Sequence, residues 1–234
     1  MRRKVIAFDL DGTLAESKAA LTDEMAEVLN ELLTKFQVCV ISGGKFEQFE
    51  KQLLANLKAD PIKAEALHLM PTCGTRYYRF DIISSEWQKI YAEDFTKDEK
   101  DTIIAALNDG LDALGMREAK PWGDIIEDRG SQVTLSALGQ EAPVKDKEDW
   151  DPDNSKKQKL RDYVAEQIPQ FEVRSGGSTS IDVTKLGIDK AYGMQRLMDI
   201  LQVTKDEILF FGDRLTEGGN DYPVKAMGID ALEV

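Results

Sequence analysis

Two aspartates near the beginning of the chain, Asp9 and Asp11, are two positions apart and follow a short apolar run at residues 4–8. The run predicts a buried strand, and Gly12 permits a turn directly after the pair. Such a turn lets both carboxylates serve one site. One can accept a phosphoryl group, while the other protonates the leaving oxygen and then deprotonates the incoming one. The spacing therefore predicts Asp9 as a nucleophile and Asp11 as a general acid and base.

Two other segments carry groups that suit a phosphoryl group. The apolar run at residues 38–41 is followed by Ser42, Gly43 and Gly44. A hydroxyl and backbone N–H groups at this place are candidates for binding a phosphoryl oxygen. Lys190 opens a predicted helix and is a candidate for neutralising a phosphorylated aspartate. The predicted catalytic set therefore extends to Ser42 and Lys190.

Acidic side chains also follow a late apolar run. Asp213 comes after residues 208–211, and Asn220 and Asp221 lie a few positions further on. Ligands of open α/β sheets bind at the carboxyl ends of the strands, so these groups are expected near Asp9. Oxygen-rich sites of this kind suit Mg²⁺, which offsets the repulsion between carboxylates and an incoming phosphate. The segment therefore predicts a magnesium site.

The elements that must position these residues alternate along the chain. Apolar runs are separated by segments of helical spacing, which predicts an α/β fold with a Rossmann-like parallel sheet. In the middle of the chain the pattern changes to strand pairs with helices grouped among them, and the charged residues 141–154 predict a loop. We therefore expect a catalytic core at residues 1–76 and 187–234, with an inserted α/β (α+β) cap domain at residues 77–186.

The ordered motifs resemble the haloacid dehalogenase superfamily of phosphotransferases. The string Asp9-Leu10-Asp11-Gly12-Thr13, the strand-end Ser42, Lys190 and the segment from Gly212 to Asp221 match the motifs of that superfamily in order. The insertion lies between the second and third motifs, as in members with the larger α/β cap (subfamily IIB). The long gap and double glycine before Asn220-Asp221 look most like the eukaryotic-type phosphomannomutase branch. The resemblance runs over nearly the whole chain.

The resemblance implies roles for individual residues. It makes Asp9 the phosphorylated nucleophile and Asp11 the acid and base. It also implies a metal site formed by Asp9, Asp213 and the backbone carbonyl of Asp11, with support from Asn220 and Asp221. In the cap, it implies that Arg129 grips the distal phosphate and that Ser180 and Asp182 bind the sugar.

The chain departs from the pattern of that branch at three positions. The branch has arginines at the positions that align with Lys18, Gln140 and Lys147. The two lysines keep the positive charge but lose the bidentate guanidinium fork, and Gln140 loses the charge altogether. These three residues are expected to line the substrate site, with a weaker phosphate contact in the cap.

The composition excludes several classes of function. The 234 residues include 30 Lys and Arg against 43 Asp and Glu, a net charge of −13, which disfavours a nucleic-acid partner. One histidine and two cysteines cannot build a four-ligand Cys/His zinc site. His68, in an apolar run, is expected to be a structural residue. The few cysteines, the absence of a signal peptide and the absence of a membrane-length apolar stretch favour a soluble cytoplasmic protein.

We therefore expect a Mg²⁺-dependent phosphotransferase acting on a hexose phosphate through Asp9, similar to phosphomannomutase. A mutase would also use a hexose 1,6-bisphosphate activator. A sugar-phosphate phosphatase of the same superfamily is the alternative, because it needs only water as the second acceptor. A non-catalytic sugar-phosphate sensor is a third interpretation, disfavoured because binding alone needs no nucleophile. The resemblance also allows a homodimer formed through the cap.

Overall fold

The computed structural model describes residues 3–177 and 179–234, apart from the side chain of Val144. Within these ranges the strands are β1 (Val5–Phe8), β2 (Gln37–Ile41), β3 (Leu67–Met70), β4 (Arg76–Asp81), β5 (Glu86–Ala92), β6 (Ile126–Asp128), β7 (Gln132–Ser136), β8 (Phe171–Ser175), β9 (Ser180–Lys185), β10 (Ile208–Gly212) and β11 (Asp230–Glu233).

The α-helices are α1 (Asp23–Leu32), α2 (Phe46–Phe49), α3 (Ala55–Leu57), α4 (Pro61–Ala64), α5 (Lys97–Ala113), α6 (Val144–Trp150), α7 (Ser155–Gln167), α8 (Lys190–Leu201) and α9 (Tyr222–Ala226). A π-helical turn, Glu50–Leu54, joins α2 to α3, and short 3₁₀ turns lie at Thr72–Gly74 and Lys205–Glu207.

The first compact unit comprises the residues up to Ala92 together with Ile188–Val234. Its sheet has seven strands in the order β11-β10-β1-β2-β3-β4-β5. The pairs from β11 to β3 are parallel, whereas β4 and β5 form an antiparallel hairpin at the edge. The predicted parallel α/β fold is therefore confirmed.

The strand β1 shows why both faces of this sheet are covered. Ile6 and Phe8 point into one apolar cluster, which includes Leu29 of α1. Val5 and Ala7 point into another, which includes Leu197 of α8. Strands buried on both faces read as continuous apolar runs, and this is the pattern that the sequence has here.

The second compact unit is Glu93–Gly187. Its four-stranded antiparallel sheet has the order β6-β7-β9-β8. The apolar side chains of these strands pack with those of α5 and α7 in a core of their own. Because residues alternate along a strand, the opposite face of β7 and β9 carries polar side chains, such as Thr134 and Asp182, which are direct partners in the register.

Two expectations drawn from the sequence differ from the structure. The hairpin of β4 and β5 was assigned to the cap by the predicted boundary at residue 77. It instead extends the larger sheet, because Arg79 pairs with His68 of β3. The charged segment 141–154 was expected to be a loop, but it contains helix α6, which begins directly after Pro143. Proline suits the start of a helix, where its missing N–H costs nothing.

Among residues 3–177 and 179–234, none of the helices combines the length and the apolar character that a membrane span requires.

Candidate active site

The register of the parallel strands brings distant parts of the chain to one edge of the first unit's sheet. Phe8, the last residue of β1, pairs with Val40 of β2 and with Phe211 of β10. Asp9 follows β1, Ser42 follows β2, and Asp213 follows β10. All three therefore leave the sheet at its carboxyl edge, where ligands of such sheets bind.

Lys190 lies between two buried carboxylates. Its Nζ donates to Oδ1 of Asp9 at 2.5 Å and to Oδ1 of Asp221 at 2.6 Å. The exposed fraction is 1% for Lys190, 2% for Asp9 and 0% for Asp221. In this environment water cannot screen the charges, so each one depends on the others for compensation.

The pKa values of these groups reflect that mutual dependence. Burial raises the pKa of Asp9 to about 6, although the ammonium of Lys190 opposes the shift. Burial acts to lower the pKa of Lys190, but the charges of Asp9 and Asp221 outweigh it and the pKa is raised. Burial, followed by the charge of Asp221, raises the pKa of Asp213. The cluster therefore carries more carboxylates than Lys190 alone can balance.

The excess negative charge fits a divalent cation. Asp9, Asp213 and Asp221 each offer a carboxylate oxygen, and these oxygens lie within 4.8 Å of one another. Hard oxygen donors in such a group are the ligands that Mg²⁺ prefers. Asp221 belongs to this group, whereas Asn220, which precedes it in the chain, is exposed.

The absence of a side chain at Gly12 leaves room for the Asp213 carboxylate. Its φ is +85°, and a Cβ added there would lie 2.7 Å from Oδ2 of Asp213. A side chain at Gly12 would therefore be strained by the backbone and would displace the Asp213 carboxylate. The glycine of the first motif has this packing role in addition to the turn that the sequence predicts.

Asp11 has a different environment from Asp9. Its Oδ1 accepts hydrogen bonds from the backbone N–H of Lys18 at 2.8 Å and from Nε2 of Gln52 at 3.1 Å. Its Oδ2 accepts a hydrogen bond from Nε2 of Gln48 at 2.6 Å. The Asp11 carboxylate is thus held by neutral N–H donors, and Lys18 contacts it through the main chain.

Sequence reasoning missed Gln48 and Gln52. Apolar residues at helical spacing in residues 46–57 predict an amphipathic helix, but this pattern does not single out any side chain on its polar face. The signal available in the sequence was the spacing of four positions, which places two side chains on one face of a helix.

Ser42 and the two glycines form a tight loop after β2. The backbone N–H of Gly44 donates to Oγ of Ser42 at 3.1 Å, so this N–H is already paired within the loop. A Cβ added at Gly44 would lie 2.1 Å from Oε1 of Gln48. The missing side chain at Gly44 therefore lets Gln48 pack against the loop, while Gly43 lies beside Cys73.

In the second unit, the residues predicted to bind a distal phosphate have local partners. Nε of Arg129 donates to Oε2 of Glu127 at 2.8 Å. Nζ of Lys147 donates to the carbonyl oxygen of Gln140 at 3.0 Å. The Gln140 amide faces backbone carbonyls of its own unit at 3.4 Å. The structure links Lys147 directly to Gln140, and Arg129 lies at the turn between β6 and β7.

The two predicted sugar-binding residues lie on β9. Oδ1 of Asp182 accepts hydrogen bonds from Oγ1 of Thr134 at 2.7 Å and from Nε2 of Gln132 at 2.9 Å. Ser180 opens the same strand and pairs with Ser136 in the register. Because Ser180 and Asp182 are two positions apart, they share the polar face of this sheet.

The parallel sheet and the lysine-containing carboxylate cluster at its edge define an α/β enzyme of the phosphotransferase class. Comparison with known families agrees with this class. The chain belongs to the haloacid dehalogenase-like hydrolase family, since a sequence model of that family matches residues 6–223.

Within this family, the chain is similar to proteins that are named phosphomannomutases. It is 26% identical to the phosphomannomutase of Encephalitozoon cuniculi, over 95% of this chain and 84% of that protein. It is 26% identical to human phosphomannomutase 1, over 96% of this chain and 84% of that protein.

A solved structure shares the fold. The N-terminally truncated, IMP-bound IMP-nucleotidase of Plasmodium falciparum superposes with a TM-score of 0.69 at 16% identity. The match covers all of this chain and 64% of the nucleotidase, so the chain spans less than two thirds of that protein. At this identity the likeness shows the fold alone.

Proposed function

We propose that the chain transfers phosphoryl groups on a hexose phosphate through a phosphorylated Asp9, with Mg²⁺ as the cofactor. The observation that carries the proposal is the buried contact of Asp9 with Lys190 beside Asp213 and Asp221. A carboxylate fixed at the carboxyl edge of the sheet has the placement that a nucleophile needs. The similarity to phosphomannomutases over 95% of the chain supports a hexose phosphate as the substrate.

The first half of the reaction forms the acyl phosphate. A carboxylate oxygen of Asp9 attacks phosphorus, and the bond from phosphorus to the sugar oxygen breaks. Asp11 gives its proton to the departing sugar oxygen. Lys190 keeps the Asp9 side chain in one orientation and balances part of the negative charge.

The second half returns Asp9 to its starting state. Asp11 takes the proton of an incoming hydroxyl, whose oxygen attacks phosphorus and releases the Asp9 carboxylate. Ser42 and the backbone around it are the candidates for holding the phosphoryl oxygens. A bound Mg²⁺ would offset the repulsion between the carboxylates and the phosphoryl group.

The identity of the incoming hydroxyl decides the overall activity. A sugar hydroxyl makes the chain a mutase, which the names of its relatives favour. Water makes it a phosphatase, and one observation favours that second candidate. Gln140 replaces an expected arginine, and its neutral amide faces backbone carbonyls of its own unit. A mutase must hold a bisphosphate in both orientations, which a weaker cap phosphate contact disfavours.

A phosphorus NMR time course separates these activities. The chain is incubated with mannose 1-phosphate, Mg²⁺ and a trace of hexose 1,6-bisphosphate, beside samples with EDTA or with the Asp9→Asn variant. Growth of a 6-phosphate signal supports the mutase, and growth of inorganic phosphate alone supports the phosphatase. Turnover that persists in the Asp9→Asn sample would contradict the proposed nucleophile. Turnover that persists in EDTA would contradict the Mg²⁺ requirement.

A further inference from the structure

Two glutamines outside the predicted motifs converge on the carboxylate of Asp11. Nε2 of Gln48 lies 2.6 Å from Oδ2 of Asp11, and Nε2 of Gln52 lies 3.1 Å from Oδ1. We propose that Gln48 and Gln52 are positioning residues, which orient the Asp11 carboxylate for proton transfer. This inference rests on the proposed function, because it assigns a purpose to the acid and base of that reaction.

The hydrogen-bond geometry fixes the orientation of the Gln52 amide. Nε2 faces two acceptors, the Asp11 carboxylate and the carbonyl oxygen of Ala19 at 2.9 Å. Both contacts need a donor, so the NH₂ end must point toward them. Oε1 of Gln52 is buried and, among the residues that the structure describes, has no hydrogen-bond partner. Leaving such a buried acceptor unpaired is unfavourable, which packing alone does not explain.

Gln52 also anchors the segment that follows Asp11. Its side chain donates to Ala19, and its carbonyl oxygen accepts from the backbone N–H of Leu21 at 2.7 Å. The same residue therefore contacts Asp11 and the chain after it. With only 4% of its surface exposed, Gln52 is held in one place by its surroundings.

The local helix geometry places both glutamines on the side of the helical segment that faces Asp11. Gln48 lies in α2 and Gln52 in the π-helical turn that follows it. In that turn, the N–H of Ala55 bonds to the carbonyl oxygen of Glu50, five residues back. Such turns are rare and are found frequently at functional sites.

The arrangement suits an acid and base that must point in a defined direction. Gln48 and Gln52 bind different oxygens of Asp11, so together they prevent rotation about the bond to its carboxylate. Neither glutamine is an acid or a base at neutral pH, so neither replaces Asp11 in the proton transfer. Their loss should therefore affect the steps that need a proton from Asp11 and spare those that do not.

The test compares two substrates that differ in the need for that proton. A hexose phosphate leaves as a poor alkoxide and needs protonation, whereas p-nitrophenyl phosphate leaves as a stable phenolate. The variants Gln48→Leu and Gln52→Leu remove the donors and keep the side-chain volume. Gln195→Leu is the matched control, because its amide donates at 2.9 Å to an exposed carboxylate, that of Asp199.

General acid catalysis contributes about 10²–10⁴-fold, so misorientation is expected to slow phosphorylation by the hexose phosphate about 10–100-fold. Phosphorylation by p-nitrophenyl phosphate should change less than about threefold, and the Gln195→Leu control should match the wild type with both substrates. Beryllofluoride with Mg²⁺, which mimics the acyl phosphate, should raise the melting temperature of all three variants as it does for the wild type.

Equal losses with both substrates would overturn the positioning role and indicate a structural one. Gln48 is only half-buried, so Gln48→Leu is expected to fold even if Gln52→Leu does not. The comparison of the two substrates can then be made with Gln48→Leu alone. A wild-type chain inactive on both substrates would overturn the proposed function itself, and the inference with it. An active wild type with unaffected glutamine variants would overturn the inference alone.

Discussion

The Nζ of Lys190 lies 2.5 Å from Oδ1 of Asp9, although the two residues are 181 positions apart in the chain. Lys190 is also the first residue of α8, where the helix dipole disfavours a cation. The carboxylates of Asp9 and Asp221 compensate for this unfavourable interaction of the Lys190 ammonium with the helix dipole. The contact therefore exists only when β1 and α8 are assembled in the folded unit.

Replacing Lys190 with methionine should destabilise the protein strongly. The change leaves Asp9 and Asp221 buried without their cation, and breaking such a pair costs about 3–5 kcal/mol. We expect the free energy of unfolding in urea with EDTA to fall by about that amount. Mg²⁺ should restore part of the loss, because a cation that binds the folded state stabilises it.

The matched control for this prediction is Lys97→Met. Lys97 forms an exposed ion pair with Asp101 at 3.0 Å, and such pairs contribute little. A Lys190→Met protein as stable as the Lys97→Met protein would contradict the prediction.

Alanine at Gly44 should reduce activity through Gln48. The added Cβ would lie 2.1 Å from Oε1 of Gln48, whose flexible end must move away from Asp11. We expect turnover of the hexose phosphate to fall about tenfold, as it should in Gln48→Ala. In the Gln48→Ala background the clash is gone, so Gly44→Ala should add little. Steady-state kinetics of this double-mutant cycle measures the coupling. Strictly additive losses would show that Gly44 acts by another route.

His68 should make the stability of the protein dependent on pH. Burial, with the charge of Arg79 as a second cause, lowers its pKa to about 3. In the unfolded chain the pKa is about 6.5. Below pH 6.5 the unfolded state therefore binds more protons than the folded state, and the free energy of unfolding decreases as the pH is lowered. Between pH 7 and pH 5 the loss from this residue is about 2 kcal/mol.

The variant His68→Gln removes this titration. Its free energy of unfolding should decline less than that of the wild type between pH 7 and pH 5, by about the same 2 kcal/mol. Urea denaturation at both pH values measures the difference. Parallel pH profiles would contradict the assigned pKa. The expected structural role is confirmed, since the imidazole lies 2.7 Å from both Tyr77 and Gln37.

The sequence was sufficient to predict the strand-end residues. Asp9, Ser42 and Asp213 each follow an apolar run, and parallel strands end at a common edge of the sheet. The haloacid dehalogenase motifs added the order of these residues along the chain. Their grouping in the structure follows from this topology.

Contacts that depend on side-chain geometry could not be predicted in the same way. The four-position spacing of Gln48 and Gln52 indicates a shared helix face. Their contact with Asp11 also depends on the π-helical turn, which has no simple sequence pattern. The hairpin of β4 and β5 was misassigned because its strand pattern fits either sheet. The pairing of β4 with β3, through Arg79 with His68 and Tyr78 with Leu69, decides between them.

The proposed activity depends most on transfer of the phosphoryl group through Asp9. Radiolabelled p-nitrophenyl phosphate should be mixed with Mg²⁺ and either the wild type or Asp11→Asn, quenched in acid and digested for mass spectrometry. We predict a hydroxylamine-sensitive label on the peptide that contains Asp9, which accumulates in Asp11→Asn and is absent in Asp9→Asn. Turnover with no label on that peptide, or a label that persists in Asp9→Asn, would contradict the account.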